Sequence, residues 1–173
     1  MKTLLTILAM SLLASTAFGQ LVITGVVDGP LSGGVPKAVE LCAVMDIADL
    51  SEYGLGSANN GGGSDDEEFT FPAVAVSQGD FIYVASEEIG FTDFFGFAPD
   101  YISSAANING DDAIELFHLG VVVDLFGDID VDGTGEPWEY LDGWTYRVDN
   151  TPDSPVFELA NWTFSGPNAL DGE

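Results

Sequence analysis

The segment Asp128–Glu139 carries the pattern of residues that most directly suggests chemistry. Its sequence, DIDVDGTGEPWE, matches the calcium-loop template D-x-D/N-x-D/N-G-x5-E at every specified position. Calcium prefers six to eight hard oxygen ligands, and alternating acids on a tight loop can supply them. The template predicts these ligands: Asp128, Asp130, Asp132, the carbonyl of Thr134, Glu136 directly or through water, and bidentate Glu139.

The sequence around this loop does not favour a helix–loop–helix calcium site. The preceding run VVVDLFG (121–127) is typical of a strand, whereas the calcium template normally lies between two helices. Pro137 also removes a backbone donor from the loop. Two interpretations therefore stay open: a calcium-binding loop on a β-scaffold, and an acidic turn that binds no specific ion.

Other catalytic chemistries find little support in the residue types present. His118 is the single histidine and lies in a strand-like run, which favours a half-buried structural role over proton transfer in a Ser-His-acid triad. One histidine and one cysteine are too few for an ordinary zinc site. Acids follow the GGG of residues 61–63, where a phosphate loop would place a lysine. The sequence therefore predicts a protein that is not an enzyme.

Short apolar runs separated by Gly, Asn, Asp and Pro clusters dominate the chain after its first residues. This pattern predicts an all-β sandwich or barrel of many short strands. The sharpest local signal is a hairpin with a tight turn near Gly120, and a helical turn is expected within residues 87–101, its phenylalanines sealing one end of the core. Residues 57–68 are expected to form a flexible acidic loop. The predicted strands are 21–27, 38–44, 68–76, 80–86, 113–119, 121–127, 144–148 and 156–164.

The first nineteen residues have the organisation of a secretory signal peptide. Lys2 precedes the short apolar run of residues 4–13, and Ala17 and Gly19 place small residues at the −3 and −1 positions of a cleavage site before Gln20. The apolar run is too short to span a bilayer. We therefore expect a signal peptide at 1–19, one domain at 20–173, secretion, and no membrane partner.

The charge of the chain is strongly one-sided. It contains 29 acidic and three basic residues, for a formal net charge of −26. Nucleic-acid binding depends on Lys and Arg at phosphates, so no direct nucleic-acid binding is expected from this domain. The acidity is explained either by solubility or by attraction of cations and basic partners.

Cys42 and the three tryptophans are expected to serve packing. A single cysteine excludes an internal disulfide, and its strand-like surroundings predict a small buried side chain rather than a reactive thiol. Trp138, Trp144 and Trp162 are expected in the core or at its ends, with an exposed sugar-binding platform as the alternative.

Four segments of the chain are similar to the lamin-tail domain, in particular to the version found in secreted bacterial proteins. The resemblance spans about 21–172 and is most specific in GDDAIELF followed by a short turn and VVDLFG. It implies an immunoglobulin-like β-sandwich without catalytic residues, of a kind that often accompanies extracellular endonuclease/exonuclease/phosphatase-type enzymes. The segments are INGDDAIELFHLGVVVDLFGDI (108–129), KAVELCAVMDIADLSEYGL (37–55), DGWTYRVD (142–149) and LANWTFSGPNALDG (159–172).

In such a sandwich, Glu40 and Glu115 are expected to point to solvent while their apolar neighbours point inward, because strands alternate faces. The primary functional hypothesis is a secreted, non-catalytic binding or accessory module, stabilised by calcium if the loop binds it, that docks an unknown protein or surface partner. One alternative is the N-terminal portion of an extracellular nuclease whose catalytic domain is absent here. The other is a calcium-dependent structural or adhesive protein.

Overall fold

A computed structural model describes residues 19–173, so the predicted signal peptide lies outside the described residues except for Gly19. The regular elements of the described chain are mostly β-strands, with one short α-helix and four 3-10 turns. The elements are β1 (Leu21–Leu31), β2 (Val35–Ala43), β3 (Tyr53–Ala58), β4 (Phe69–Thr70), β5 (Phe81–Ala85), α1 (Ile89–Phe95), β6 (Tyr101–Ile102), β7 (Ala113–His118), β8 (Val121–Phe126), β9 (Gly143–Arg147) and β10 (Trp162–Phe164), with 3-10 turns at Leu50–Glu52, Asn59–Gly61, Ser104–Ala106 and Leu159–Asn161.

The strands form two sheets that enclose one principal core, which confirms the predicted all-β sandwich at the level of its architecture. The larger sheet has the order β10-β9-β1-β2-β5-β6 and the smaller one the order β4-β3-β7-β8. Strand alternation sends Val39 and Leu41 of the larger sheet and Ile114 and Leu116 of the smaller sheet into the same core. Phe126 is fully buried at one end of this core, where its ring contacts those of Trp138, Tyr140, Phe157 and Trp162.

The β7–β8 hairpin confirms the strongest local prediction. Its turn residues Leu119 and Gly120 both have positive φ, 51° and 75°, as a two-residue turn matched to the twist of a hairpin requires. The two strands pair antiparallel from His118 and Val121 back to Ile114 and Phe126.

Strand β3 was missed by the sequence analysis because its glycines resemble a turn. A Cβ at Gly54 would lie 2.3 Å from Glu67, and a Cβ at Gly56 would lie 2.3 Å from the carbonyl oxygen of Asp66. The glycines therefore let the acidic segment 62–68 cross the outer face of the smaller sheet. The predicted acidic loop over 57–68 therefore begins too early, since residues 57 and 58 belong to β3 and Asn59–Gly61 form a 3-10 turn. Residues 62–68 form a loop without regular structure, which is bonded to β3 at Glu68, whose amide donates to the carbonyl of Leu55 and whose carboxylate accepts from the amide of Ser57.

That crossing segment also buries a carboxylate that was expected in solvent. Glu115 is only 2% exposed and accepts a 2.6 Å hydrogen bond from the hydroxyl of Ser64. Burial raises its pKa, and the nearby Asp66, Asp65 and Glu68 add to the effect. Glu40, in contrast, lies half-buried on the outer face of the larger sheet, as predicted.

Several other local predictions need correction. Only Phe69–Thr70 of 68–76 and only Trp162–Phe164 of 156–164 are strands. The expected helical turn is α1, but Phe91 packs with Ala38 and Ala85 on the outer face of the larger sheet instead of sealing the main core. Cys42 is half-buried rather than buried.

Two buried ion pairs contain both basic side chains of the described residues. Lys37 lies 2.9 Å from Asp28, and Arg147 bonds Asp124, with all four side chains no more than 10% exposed. The Asp124 carboxylate on β8 also accepts hydrogen bonds from the Ile23 amide on β1 at 2.9 Å. The second pair therefore ties the edge of the smaller sheet to the middle of the larger one.

Within residues 19–173, no helix has the length and apolar character that crossing a membrane would require.

Candidate functional site

The predicted calcium loop, Asp128–Glu139, connects β8 to the segment before β9, so it lies on a β-scaffold and not between helices. Trp138 anchors the loop, because its buried ring packs directly against Gly133. A Cβ added to Gly133 would lie only 2.6 Å from this ring. The amide of Gly133 donates to the carbonyl of Asp111 at 3.0 Å, and the amide of Gly63 donates to the carbonyl of Ile129 at 2.9 Å. The loop is thus held against two neighbouring turns.

In three of the six predicted ligands, one carboxylate oxygen accepts a hydrogen bond from a backbone amide of the loop itself. Asp128 Oδ1 accepts from the amide of Asp130 at 3.0 Å, and Asp132 Oδ1 accepts from the amide of Thr134 at 2.9 Å. Glu139 Oε2 accepts from the amide of Gly135 at 2.9 Å. These bonds account for the turn by the ordinary chemistry of Asp in tight turns. The hydrogen bond from the backbone of Thr134 also lowers the pKa of Asp132.

The remaining predicted ligands are spread over the exposed side of the loop. Asp130 and Glu136 are exposed, and the hydroxyl of Thr134 donates to Asp111 Oδ2 at 2.9 Å. The other carboxylate oxygen of Asp111 is buried without a hydrogen-bond partner. Among residues 19–173, no group of three or more His, Cys, Asp or Glu side chains is gathered as a metal ion would need. Calcium binding by this loop stays a prediction.

His118 has the structural surroundings expected of it. Its ring stacks on Tyr53 with 4.5 Å between centroids, and its Nε2 lies 3.5 Å from Glu52 Oε2. The side chain is about one third exposed. The imidazole is therefore held at the end of β7 by an aromatic face and by a carboxylate on the neighbouring turn.

A second candidate site, which the sequence analysis missed, lies on the outer face of the larger sheet. We call it the outer-face cleft. It has a volume of about 310 Å³ including its open mouth. Its charged group is the carboxylate of Glu40, and the remaining walls are aliphatic and aromatic, including the phenols of Tyr83 and Tyr146. The lining residues are Gly25, Val26, Val27, Ala38, Glu40, Tyr83, Phe91, Phe95 and Tyr146.

The register of four strands builds this cleft. Gly25 on β1 pairs with Tyr146 on β9 and with Glu40 on β2, and Glu40 pairs with Tyr83 on β5. The four residues therefore form one row across the sheet, tyrosine–glycine–glutamate–tyrosine. Because Gly25 has no side chain, the Tyr146 ring leans over it: a Cβ there would lie 2.9 Å from the ring and 3.4 Å from Cβ of Glu40.

Helix α1 supplies the upper wall of the cleft. Phe91 and Phe95 lie with 4.7 Å between their centroids, and Phe91 lies 6.0 Å from Tyr83. Phe91 is buried, whereas Phe95 and Tyr146 are 37% and 46% exposed. The aromatic surface therefore continues from the packed base of the cleft to its solvent-facing rim.

The carboxylate of Glu40 influences both tyrosines of the row. Its Oε1 accepts a 2.8 Å hydrogen bond from the hydroxyl of Thr24, which fixes its orientation. Burial, followed by the negative charge of Glu40, raises the pKa of Tyr83 to about 12. Burial and then Glu40 likewise raise the pKa of Tyr146 above its ordinary value. Both phenols thus stay neutral at physiological pH beside an acidic group.

Only part of this cleft is signalled by the sequence. Glu40 between Val39 and Leu41, and Tyr146 between Thr145 and Arg147, indicate positions on the outer side of their strands. The tryptophans were predicted in the core or at its ends. Trp138 and Trp162 are core residues, whereas Trp144 lies on the outer side of its strand, with its ring centroid 5.1 Å from that of Tyr146.

Comparison of this chain with protein-family models, with curated proteins and with solved structures found no match. The resemblance to the lamin-tail domain therefore stays a prediction, and the two-sheet β-sandwich is the level at which its fold is identified.

Proposed function

We propose that this chain is a secreted, non-catalytic binding module built on an immunoglobulin-like sandwich of the lamin-tail kind. The observation that carries the proposal is the outer-face cleft, where aromatic side chains, two of them exposed at the rim, surround one oriented carboxylate on the larger sheet. Concave sites with apolar walls and few convergent polar groups are the usual form of ligand pockets. Side chains held on neighbouring strands suit recognition because the sheet fixes their spacing.

The distribution of charge supports a binding role for cationic ligands or partners. Lys37 and Arg147 are used in buried ion pairs, so the fixed charge presented by the described surface is predominantly acidic. A surface of one sign attracts oppositely charged partners and repels those of the same sign. We therefore expect a basic or cationic partner, and no direct binding to nucleic acid.

The surroundings of the chemically versatile side chains support a non-catalytic role. His118 contacts an aromatic ring and a surface glutamate, and the buried Asp28 and Asp124 are each bonded to a buried basic side chain. The predicted calcium loop enters the proposal as a stabilising element on the β8–β9 connection. The nuclease-associated and adhesive alternatives remain predictions from the sequence.

The direct test is an activity panel on the purified chain, with DNA, a phosphodiester and glycans as substrates, in calcium, in magnesium and with a chelator. We expect no turnover above that of the heat-denatured protein. A hydrolytic activity that elutes with the folded protein, and that one His118→Gln or carboxylate substitution abolishes while the fold persists, would contradict the proposal.

A further inference from the structure

We infer that the outer-face cleft binds a small organic cation of the quaternary-ammonium class, with Glu40 as counter-ion and with the rings of Tyr83, Tyr146, Phe91 and Phe95 as the surrounding walls. The inference rests on the binding role proposed above and specifies its ligand. It assigns the cation to the tyrosine–glycine–glutamate–tyrosine row across β9, β1, β2 and β5.

The lining of the cleft favours an alkylated ammonium over a metal ion. Calcium and similar hard cations need six or more oxygen ligands, and the cleft offers one side-chain carboxylate among apolar and aromatic groups. Aromatic faces attract cations through their quadrupole, most effectively when the cation is already weakly hydrated. Methyl groups around the nitrogen also bury apolar surface against Val27 and Ala38.

The shape of the row sets the size of the ligand. Adjacent strands lie about 4.8 Å apart, so the backbones of Tyr146 and Tyr83 are separated by roughly 14 Å with Gly25 and Glu40 between them. The missing side chain at Gly25 leaves the space into which Tyr146 leans. A compact head group enters between the two rings, whereas a planar or extended ligand meets the wall formed by α1.

The charge of the outer-face cleft also favours a cationic ligand. Glu40 is held by Thr24 and faces no basic side chain of residues 19–173, because Lys37 and Arg147 bond Asp28 and Asp124 inside the sandwich. A bound cation therefore supplies the counter-charge that this carboxylate lacks among the described residues. The wider acidity of the chain raises the local concentration of any cation near the cleft.

The test is a titration of the purified chain with tetramethylammonium and with choline at constant ionic strength, followed by calorimetry and by tryptophan fluorescence, to which Trp144 beside Tyr146 contributes. We expect competition between the two cations for one site, with Kd on the order of 1 mM. Sodium and the neutral choline isostere 3,3-dimethylbutan-1-ol serve as ligand controls and should not saturate the site.

Variants separate the charge of the site from its walls. Glu40→Gln keeps an acceptor for Thr24 and should weaken binding about tenfold, while Tyr146→Ala should weaken it several-fold through loss of one ring. Gly25→Ala should also weaken binding, because its methyl group displaces the Tyr146 ring. Glu88→Gln is the matched control, since Glu88 is exposed at the start of α1, lies outside the cleft and makes the same change of charge.

Thermal melting of each variant shows whether the fold is retained. Absence of saturable binding by the folded wild-type chain would overturn the inference, as would equal affinity for the neutral isostere or unchanged affinity in folded Glu40→Gln. These results do not bear on the absence of catalysis, which a hydrolytic activity in the panel described above would refute. Binding that is lost in Glu40→Gln and kept in Glu88→Gln would support both.

Discussion

The substitution Asp124→Ala is the most informative test of how the two sheets are held together. Asp124 is fully buried on β8 and bonds the guanidinium of Arg147, which reaches it from β9. Its carboxylate also accepts from the amides of Ile23 at 2.9 Å and Ser154 at 3.0 Å. One side chain thus satisfies donors from three separate parts of the chain.

Loss of this carboxylate leaves a buried guanidinium without its counter-ion. The Arg147 side chain is only 5% exposed, and its guanidinium lies 4.5 Å above the ring of Trp162, so it has little access to water. Removing one partner of a buried ion pair costs about 3–5 kcal/mol, and stranded buried amides add to this. For a domain of this size, about 3–5 kcal/mol corresponds to a fall in Tm of roughly 6–20 °C.

The assay is thermal and urea unfolding followed by circular dichroism, with Asp65→Ala as the control because Asp65 is exposed in the acidic segment. The control should change stability by no more than about 0.5 kcal/mol. The double variant Asp124→Ala/Arg147→Met should recover part of the loss, since it leaves no unpaired charge in the core. A fall in Tm no larger than that of the control, or a double variant less stable than the single one, would refute this account of the pair.

Three further predictions concern the core, the buried glutamate and the loop. Phe126→Ala should cost about 3–5 kcal/mol in urea unfolding, because it empties the centre of the aromatic cluster; a loss below about 1 kcal/mol would contradict that packing. Burial raises the pKa of Glu115 above its ordinary value of 4.5, so the folded state favours the protonated carboxyl. The stabilisation that this protonated group contributes is therefore complete below pH 4.5 and is lost as the pH rises through the folded-state pKa. Glu115→Gln should therefore reduce the loss of stability between pH 4.5 and pH 7, as measured by urea midpoints at both, and an unchanged pH dependence would contradict the assignment. If the loop binds calcium, millimolar calcium should raise Tm by mass action, and Asp130→Ala with Asp132→Ala should abolish that rise; calcium-independent melting of the wild type would remove the loop as a site.

The candidate sites show where prediction from the sequence reached its limit. The calcium template was matched by letters alone, and the structure turns the carboxylates of Asp128 and Asp132 to amides of their own loop. Such bonds depend on how the backbone folds locally, which the order of residue types does not specify. The outer-face cleft was missed because Gly25 and Tyr146 are more than a hundred residues apart in the chain and become neighbours only through the pairing of β1 with β9.

The features that could be predicted from the sequence are those that depend on neighbouring residues in the chain. Short apolar runs predicted β7 and β8, and Gly120 between the two runs predicted the tight turn at Leu119 and Gly120. The outward position of Glu40 followed from the same rule. These features need only the two-residue period of a strand and the conformational freedom of glycine.

The segments that cover each face of a sheet, and the order of its strands, could be seen only in the folded chain. Glu115 obeys the same alternation as Glu40, yet it is buried because the segment 62–68 crosses above Gly54 and Gly56. Glu40 remains accessible between Tyr83 and Tyr146 because α1 and the following Phe97 cover its side of the sheet only in part. Periodicity assigns a side chain to one face of a strand, whereas its burial depends on contacts between segments distant in the chain, and only the folded chain brings those segments together.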